Sequence, residues 1–450
     1  MNTSGSVVLP EGRPVVTASS LTAAFCLGLL SLACIAALFG GMPILIMGLA
    51  IALAVLVWAR PKEAASVAVL FLVACNILLP SSSRYEWTWR YYQPWQMRYW
   101  AAGLLIITLA AVSRIGIRVL WRIPAAVKAF LAVALVATLV GFARGNAASF
   151  VARQLYGSLL LVAYFAIAYH MGDEELFLRR LRTFGLLCAA GFFVYYATTF
   201  SDLGFHKEIT ALGTLEGAAG ILCFIKGLTE KRRGWMVSAL VLLAVPILLF
   251  ERRMMVAIAV ATALAFAIKA SSRKARYFYG AVAVLGILSG TLISGARLLL
   301  EGVESLPGVE EVLPSGGADV TSLTDRTIQL GMGVDTLRRS PAFGEGFGAE
   351  LTWEATNTHE IVQQAYIDNG WAYLAVKMGG LGILAFGWFL VATFRCMTRK
   401  SLALSACLLS MVFVTMFSEP VFFNFNTSCL LGAMAGLLCA RKGIDASPAP

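Results

Sequence analysis

Stretches almost free of charge recur along this chain, most of them near the roughly 17–25 residues an α-helix needs to cross the hydrocarbon core of a bilayer. Fourteen can be read, at about 21–39, 44–58, 64–80, 100–113, 124–142, 154–171, 183–200, 211–228, 235–250, 254–268, 277–296, 371–394, 401–417 and 421–440. Some are short, so the expectation is about 12–14 true spans. In lipid every backbone amide must find a partner inside its own element, which leaves helices and closed barrels as the spanning forms. Barrel strands are short and alternate in polarity; these segments do neither. The fold class expected is therefore all-α, a polytopic transmembrane helix bundle. The first segment follows a polar N-terminus without a small-residue cleavage site and reads as a retained helix, not a removed signal.

Composition closes off the other classes. Of 450 residues 59% are hydrophobic and 14% charged, against about 25% charged in a soluble domain. A soluble enzyme, a disordered chain and a disulfide scaffold are all excluded. The nine cysteines lie in or at the ends of apolar segments, where cysteine acts as a small hydrophobe, so no disulfide and no structural zinc is expected. The net charge of +11 does not indicate nucleic acid, because the basic residues are distributed as topology signals. With the N-terminus inside, 23 of the 36 basic residues fall in the inner loops. The positive-inside rule then makes both termini cytoplasmic. Tyr85, Trp87, Trp89, Tyr91, Tyr92, Trp95, Tyr99 and Trp100 crowd one outer loop and read as an interfacial aromatic belt.

This parity divides the chain into residues 1–296, a transmembrane bundle of about eleven spans; residues 297–370, a large periplasmic loop; and residues 371–450, the C-terminal spans with a short cytoplasmic tail. The loop carries 4 basic and 12 acidic residues in a chain that is basic elsewhere. Its first part, Glu301 to Ser322, holds Pro307, Pro314 and Gly316-Gly317 and reads as mobile. Two helices are expected after it. One runs from about Thr324 to Arg339, capped by Thr321 or Thr324 and stopped by Pro341. The other starts near Asn357-Thr358, both good N-caps, and continues through His359, Gln363 and Tyr366. Between them, Gly344-Glu345-Gly346-Phe347-Gly348 follows no strand and faces a compartment without ATP. It reads as a tight turn packing the loop onto the membrane domain, not as a nucleotide loop.

Charges in or beside spans are costly and need a reason. Glu216, the trio Glu251-Arg252-Arg253 and Glu419 stand out on the outer side. The trio fits a plain interfacial turn whose arginines reach lipid phosphates. It equally fits a guanidinium fork that grips a diphosphate through two oxygens at once. A lone histidine is more often structural than catalytic, but His359 is placed differently from His170 and His206. It sits in the large outer loop, in the expected first turn of a helix, whose positive potential disfavours the protonated imidazole. A neutral imidazole can take a proton from a hydroxyl. On such a helix His359, Gln363 and Tyr366 share one face. No cluster of ligands with metal-binding spacing appears, so no metal and no cofactor is expected.

With these residues in view, the chain resembles the O-antigen ligase and O-antigen polymerase superfamily, membrane glycosyltransferases that use polyprenyl-diphosphate-linked glycans. Glu251-Arg252-Arg253-Met254-Met255 resembles the family's Ser-Arg-(Gly/Arg) segment ahead of a leucine-rich helix. Asp325-Arg326 followed by Ser340-Pro341-Ala342-Phe343-Gly344-Glu345-Gly346-Phe347-Gly348 resembles its arginine-bearing helix and Pro-(Leu/Ala)-x-Gly-x-Gly-x-Gly. Thr358-His359-Glu360, then Asn369-Gly370 and Gly379-Gly380-Leu381-Gly382, resembles its His-Asn-x-x-Leu segment and glycine-rich span. The match covers about residues 240–394. Glu360 stands where the family has Asn or Ser, Asn369 where it has an acid, and the first motif lacks its serine, so either Arg252 or Arg253 can be the matching arginine.

The resemblance implies a metal-independent, inverting transfer on the periplasmic side of the bacterial inner membrane, in surface polysaccharide or lipopolysaccharide biosynthesis. His359 would be the base, and Arg252, Arg253 and Arg326 would hold the diphosphate. Glu360, Gln363, Tyr366, Glu251 and Glu216 are secondary candidates. The partners implied are a polyprenyl-diphosphate-linked glycan donor, a lipid A-core or glycan acceptor, the lipid bilayer and polysaccharide-assembly proteins. Ligase and polymerase both remain open. A transporter or flippase is the rival of another class, although no internal repeat supports it and the suspicious charges sit at span ends. A non-catalytic assembly partner is a third rival.

Overall fold

The computed structural model describes residues 42–78, 94–116, 121–199, 210–248, 252–269, most of 272–280, 317–354, 361–397 without 366 and 368, 401–416 and 425–445. The expected first span and nearly all of the eleventh lie outside these residues. Every other expected apolar segment is helical in its described part. In chain order the helices are α1 Met42–Ala59, α2 Ala64–Leu78, α3 Pro94–Ile115, α4 Ala125–Ala143, α5 Ala148–Met171, α6 Glu174–Thr199 and α7 Thr210–Glu230. They continue with α8 Arg233–Leu248, α9 Arg252–Lys269, α10 Gly317–Arg339, α11 Gly370–Phe394, α12 Leu402–Ser410 and α13 Phe425–Asp445. A π-helical turn, Met411–Thr415, extends α12. By length and composition α4, α5 and α11 can each cross a membrane, and several other helices are shorter but apolar.

Lipid tails are as apolar as leucine, so helices in a bilayer associate through close packing. Helix α13 shows how. Its Gly432 and Gly436 are four residues apart on one face, and a β-carbon on either would collide with a carbonyl of α5, Leu161 or Phe165. The two backbones therefore lie in direct contact, and α5 and α13 form the most extensive helix pair among the described residues. Leu160, Leu161, Tyr164, Phe165 and Ala168 of α5 are all buried. Leu135, Leu139 and Phe142 of α4, and Val237 and Leu240 of α8, are exposed, as side chains facing lipid tails would be.

The two ends of the bundle differ. At the basic end, Glu63 between α1 and α2 pairs with Arg60 at 3.6 Å and with Arg180 of α6 at 3.1 Å. Nearby on α6 and α7, Lys226 pairs with Glu175 and, at 3.3 Å, with Glu230. The opposite end carries the turn between α4 and α5, the segment after α10 and the start of α11.

Helix α10 begins at Gly317, earlier than expected, so Thr321 and Thr324 lie inside it and do not cap it. No strong breaker interrupts residues 318–323, and the helix extends back to the glycine pair. It ends at Arg339, ahead of Pro341, as expected. The expected second loop helix does not form. Leu351–Glu354 and Ile361–Gln364 are instead β1 and β2, antiparallel, with Leu351 opposite Gln364 and Glu354 opposite Ile361. Leu351 and Trp353 turn inward and Thr352 and Glu354 outward. This alternation in residues that favour strands outweighs the capping signal of Asn357-Thr358, a pair equally suited to turns.

Helix α11 is broken. Gly379 has φ 63° and ψ −160°, which L-residues rarely adopt. The ring centroids of Trp371 and Phe386 are 6.2 Å apart. In a straight helix a separation of fifteen residues would put them about 22 Å apart. The Gly370–Met378 half therefore folds back along the second half, so the segment read as one span is two helical pieces.

Candidate functional site

The break in α11 is where the segment after α10 enters the bundle. Residues 340–349 thread between the ends of α4 and α5 and the kink at Gly379. The Gly380 amide donates to the Pro341 carbonyl at 2.8 Å and the Leu381 amide to Ala342 at 3.2 Å. Glu345 N–H donates to Val376 at 2.6 Å and Phe347 N–H to Ala137 of α4 at 2.9 Å. At Gly344 and Gly346 this backbone meets the two helices too closely for a side chain. Gly344, Gly346 and Gly348 all have positive φ, and a β-carbon on Gly344 would lie against the backbone of α11. The glycine run is thus a tight turn locking the loop onto the membrane domain, as expected.

Polar side chains from the α4–α5 turn complete the knot. Arg144 forms an ion pair with Glu345 and donates to Ser340 Oγ at 3.1 Å. Asn146 Nδ2 donates to the carbonyls of Glu345 at 3.2 Å and Phe347 at 2.8 Å. Gln154 of α5, fully buried, accepts from Gly348 N–H at 2.7 Å and donates to the Ala365 carbonyl at 3.2 Å. Lys377, also fully buried, donates to the Ala349 carbonyl. Asn369 caps α11 by accepting from the amides of Trp371 and Ala372, both at 3.0 Å. Its own amide donates to Gln329 of α10 at 3.4 Å.

The sequence-derived candidates fall around this knot unevenly. Arg252 and Arg253 open α9. That helix packs along α12 and its π turn, and Met416, just beyond the turn, accepts from Gly370 N–H at 2.7 Å. Arg326 lies on α10 one turn before Gln329. Glu251, His359, Glu360 and Tyr366 lie outside the described residues. In the sequence, residues 355–360, His359 among them, join β1 to β2. Gln363 is in β2, exposed, and donates to Glu350 at 2.8 Å. A helical face shared by His359, Gln363 and Tyr366 does not exist, because residues 361–364 are strand.

Glu216, on α7, is 1% exposed inside the bundle. Neither carboxyl oxygen has a hydrogen-bond partner among the described residues, and a β-carbon on Gly185 of α6 would lie 3.2 Å from one of them.

Four residues of the knot escaped the sequence reading: Arg144, Asn146, Gln154 and Lys377. The signal for one of them was present. Lys377 is the single charge in the apolar run 371–394, and a charge inside a span marks function or a dedicated partner.

Residues 237–387 match a protein-family model described as O-antigen ligase. This stretch is similar to an O-antigen ligase domain. It runs from α8 past the break in α11, and all three motifs that carried the resemblance fall inside it. The match supports the likeness to the O-antigen ligase/polymerase superfamily over this third of the chain. No curated protein matches the chain. The matched stretch contains the arginines that open α9, all of α10, the glycine knot and the hairpin. Its docking partners α4 and α5 lie outside the matched stretch.

Proposed function

We propose that the protein transfers a glycan from a polyprenyl-diphosphate carrier to an acceptor hydroxyl, on the periplasmic side of the bacterial inner membrane. The reading rests on one coincidence: the O-antigen ligase match covers the glycine turn, the hairpin and the α11 break, which dock on α4 and α5 at the loop end of the bundle. That end is opposite the basic one, which the positive-inside rule assigns to the cytoplasm.

In the step proposed, the acceptor oxygen attacks the anomeric carbon as His359 takes its proton. The bond from that carbon to the phosphate oxygen breaks, and the diphosphate leaves with the electron pair. Direct displacement inverts the anomeric centre. Arg326 and Arg252 or Arg253 stabilise the growing negative charge, which arginine does without a metal and through two oxygens at once. Activity in detergent is then expected to survive EDTA, and a loss restored by magnesium or manganese would count against the arginine clamp. The helix-start argument for a neutral base does not apply to a hairpin. Water competes as acceptor, so the transfer needs a site that excludes it.

His359→Ala protein should insert, bind the lipid-linked donor and lose transfer by roughly a hundredfold or more. Near-normal transfer by well-expressed His359→Ala would remove the base assignment. The lipid-linked glycan that accumulates on deletion of the gene separates the two transfer reactions. Unattached long chains indicate a ligase, and single repeat units indicate a polymerase.

A further inference from the structure

We infer that Gln154 is a positioning residue that sets the β1–β2 hairpin, and with it the connection carrying His359, against the membrane domain. Gly348 precedes β1 by three residues and Ala365 follows β2 directly, so these two residues are the feet of the hairpin. One side chain holds both. The Gln154 amide oxygen accepts from Gly348 N–H at 2.7 Å, and its amide nitrogen donates to the Ala365 carbonyl at 3.2 Å. Gln154 is fully buried on α5, the helix that meets α13 backbone to backbone at Leu161 and Phe165 further along. A two-stranded hairpin alone is marginally stable in water, and its pose depends on what fixes its ends. Lys377 adds a third point by donating to Ala349, the residue after Gly348. A glutamine is suited to the task because one planar group offers an acceptor and a donor together. Replacing it leaves a buried N–H and a buried C=O without partners, while the motif residues that face substrate are untouched.

The inference rests on His359 as base, and a double-mutant cycle keeps the two separable. Gln154→Met has similar volume and neither hydrogen bond. In purified enzyme it should lower kcat about tenfold or more while KM for the lipid-linked donor changes less than about twofold. On the His359→Ala background it should cost nothing further, because the group it positions is gone. Lys377→Met should show the same pattern. Hydrogen exchange reads the clamp without reference to catalysis: in Gln154→Met the amides of 348–365 should exchange faster while those of α5 and α13 keep their protection. Unchanged exchange over 348–365 overturns the inference, as does a full loss of transfer that persists on the His359→Ala background. If His359→Ala transfers normally, the base reading fails, and exchange alone decides whether Gln154 holds the hairpin.

Discussion

At the scale of single residues, two kinds of buried polar group stand in contrast. Gln154, Lys377 and Asn369 are each satisfied by backbone groups of the knot. Glu216 is comparably buried, yet neither of its oxygens is bonded among the described residues. A buried carboxyl without partners destabilises, and an apolar residue of similar size removes the penalty. Glu216→Met is therefore expected to raise the melting temperature in detergent. If transfer falls as the melting temperature rises, Glu216 is kept for function at the expense of stability; unchanged or lower thermal stability would show that a partner does reach it. The arginines call for a different test. Arg326→Lys keeps the charge but loses the two-pronged bond to phosphate, so donor binding should weaken. In His359→Ala it should not, and binding assays on both variants separate clamp from base.

Elements here owe their placement to glycine. The approach of α5 to α13 depends on Gly432 and Gly436. Gly432→Val forces backbone apart in a packed interior, which typically costs about 1–3 kcal/mol. A lowered melting temperature is expected, with the loop end disturbed only indirectly. The fold-back of α11 depends on Gly379, whose φ of 63° and contact with the Ala342 and Gly344 backbone leave no space for a side chain. Gly379→Ala should unseat residues 341–345 and reduce transfer as well as stability. Accelerated proteolysis between Ser340 and Gly348 would report the unseating; an intact knot in that variant would show that the break survives without glycine.

Taken whole, the molecule is a helical bundle with a charge-paired end and a knotted end. Orientation is open to direct test. In a cysteine-free background, Thr352→Cys on the exposed edge of β1 should react with a membrane-impermeant thiol reagent in cells whose outer membrane alone is permeabilised. Lys231→Cys, at the basic end, should react only after inner-membrane lysis. The reverse pattern would move the loop end to the cytoplasm and remove the proposed access to a periplasmic acceptor.

Hydrophobic patterning by itself determined the fold class and placed the ends of most helices within a few residues, because the bilayer imposes length and polarity on each span separately. The glycine turn was legible for a similar reason: closely spaced glycines bounded by proline leave few local conformations. What sequence could not settle was whatever depends on contacts distant along the chain. Leu351–Glu354 and Ile361–Gln364 form a hairpin because two short segments pair with each other and bury Leu351 and Trp353, although Asn357-Thr358 is a sound local start for a helix. Residues 370–394 are apolar enough for one span, yet the loop carbonyls of Pro341 and Ala342 capture amides at the Gly379 break. Gln154 lies nearly two hundred residues from the glycine it holds. Such partners are chosen by the packed structure, since no local signal specifies which buried amide will face which backbone.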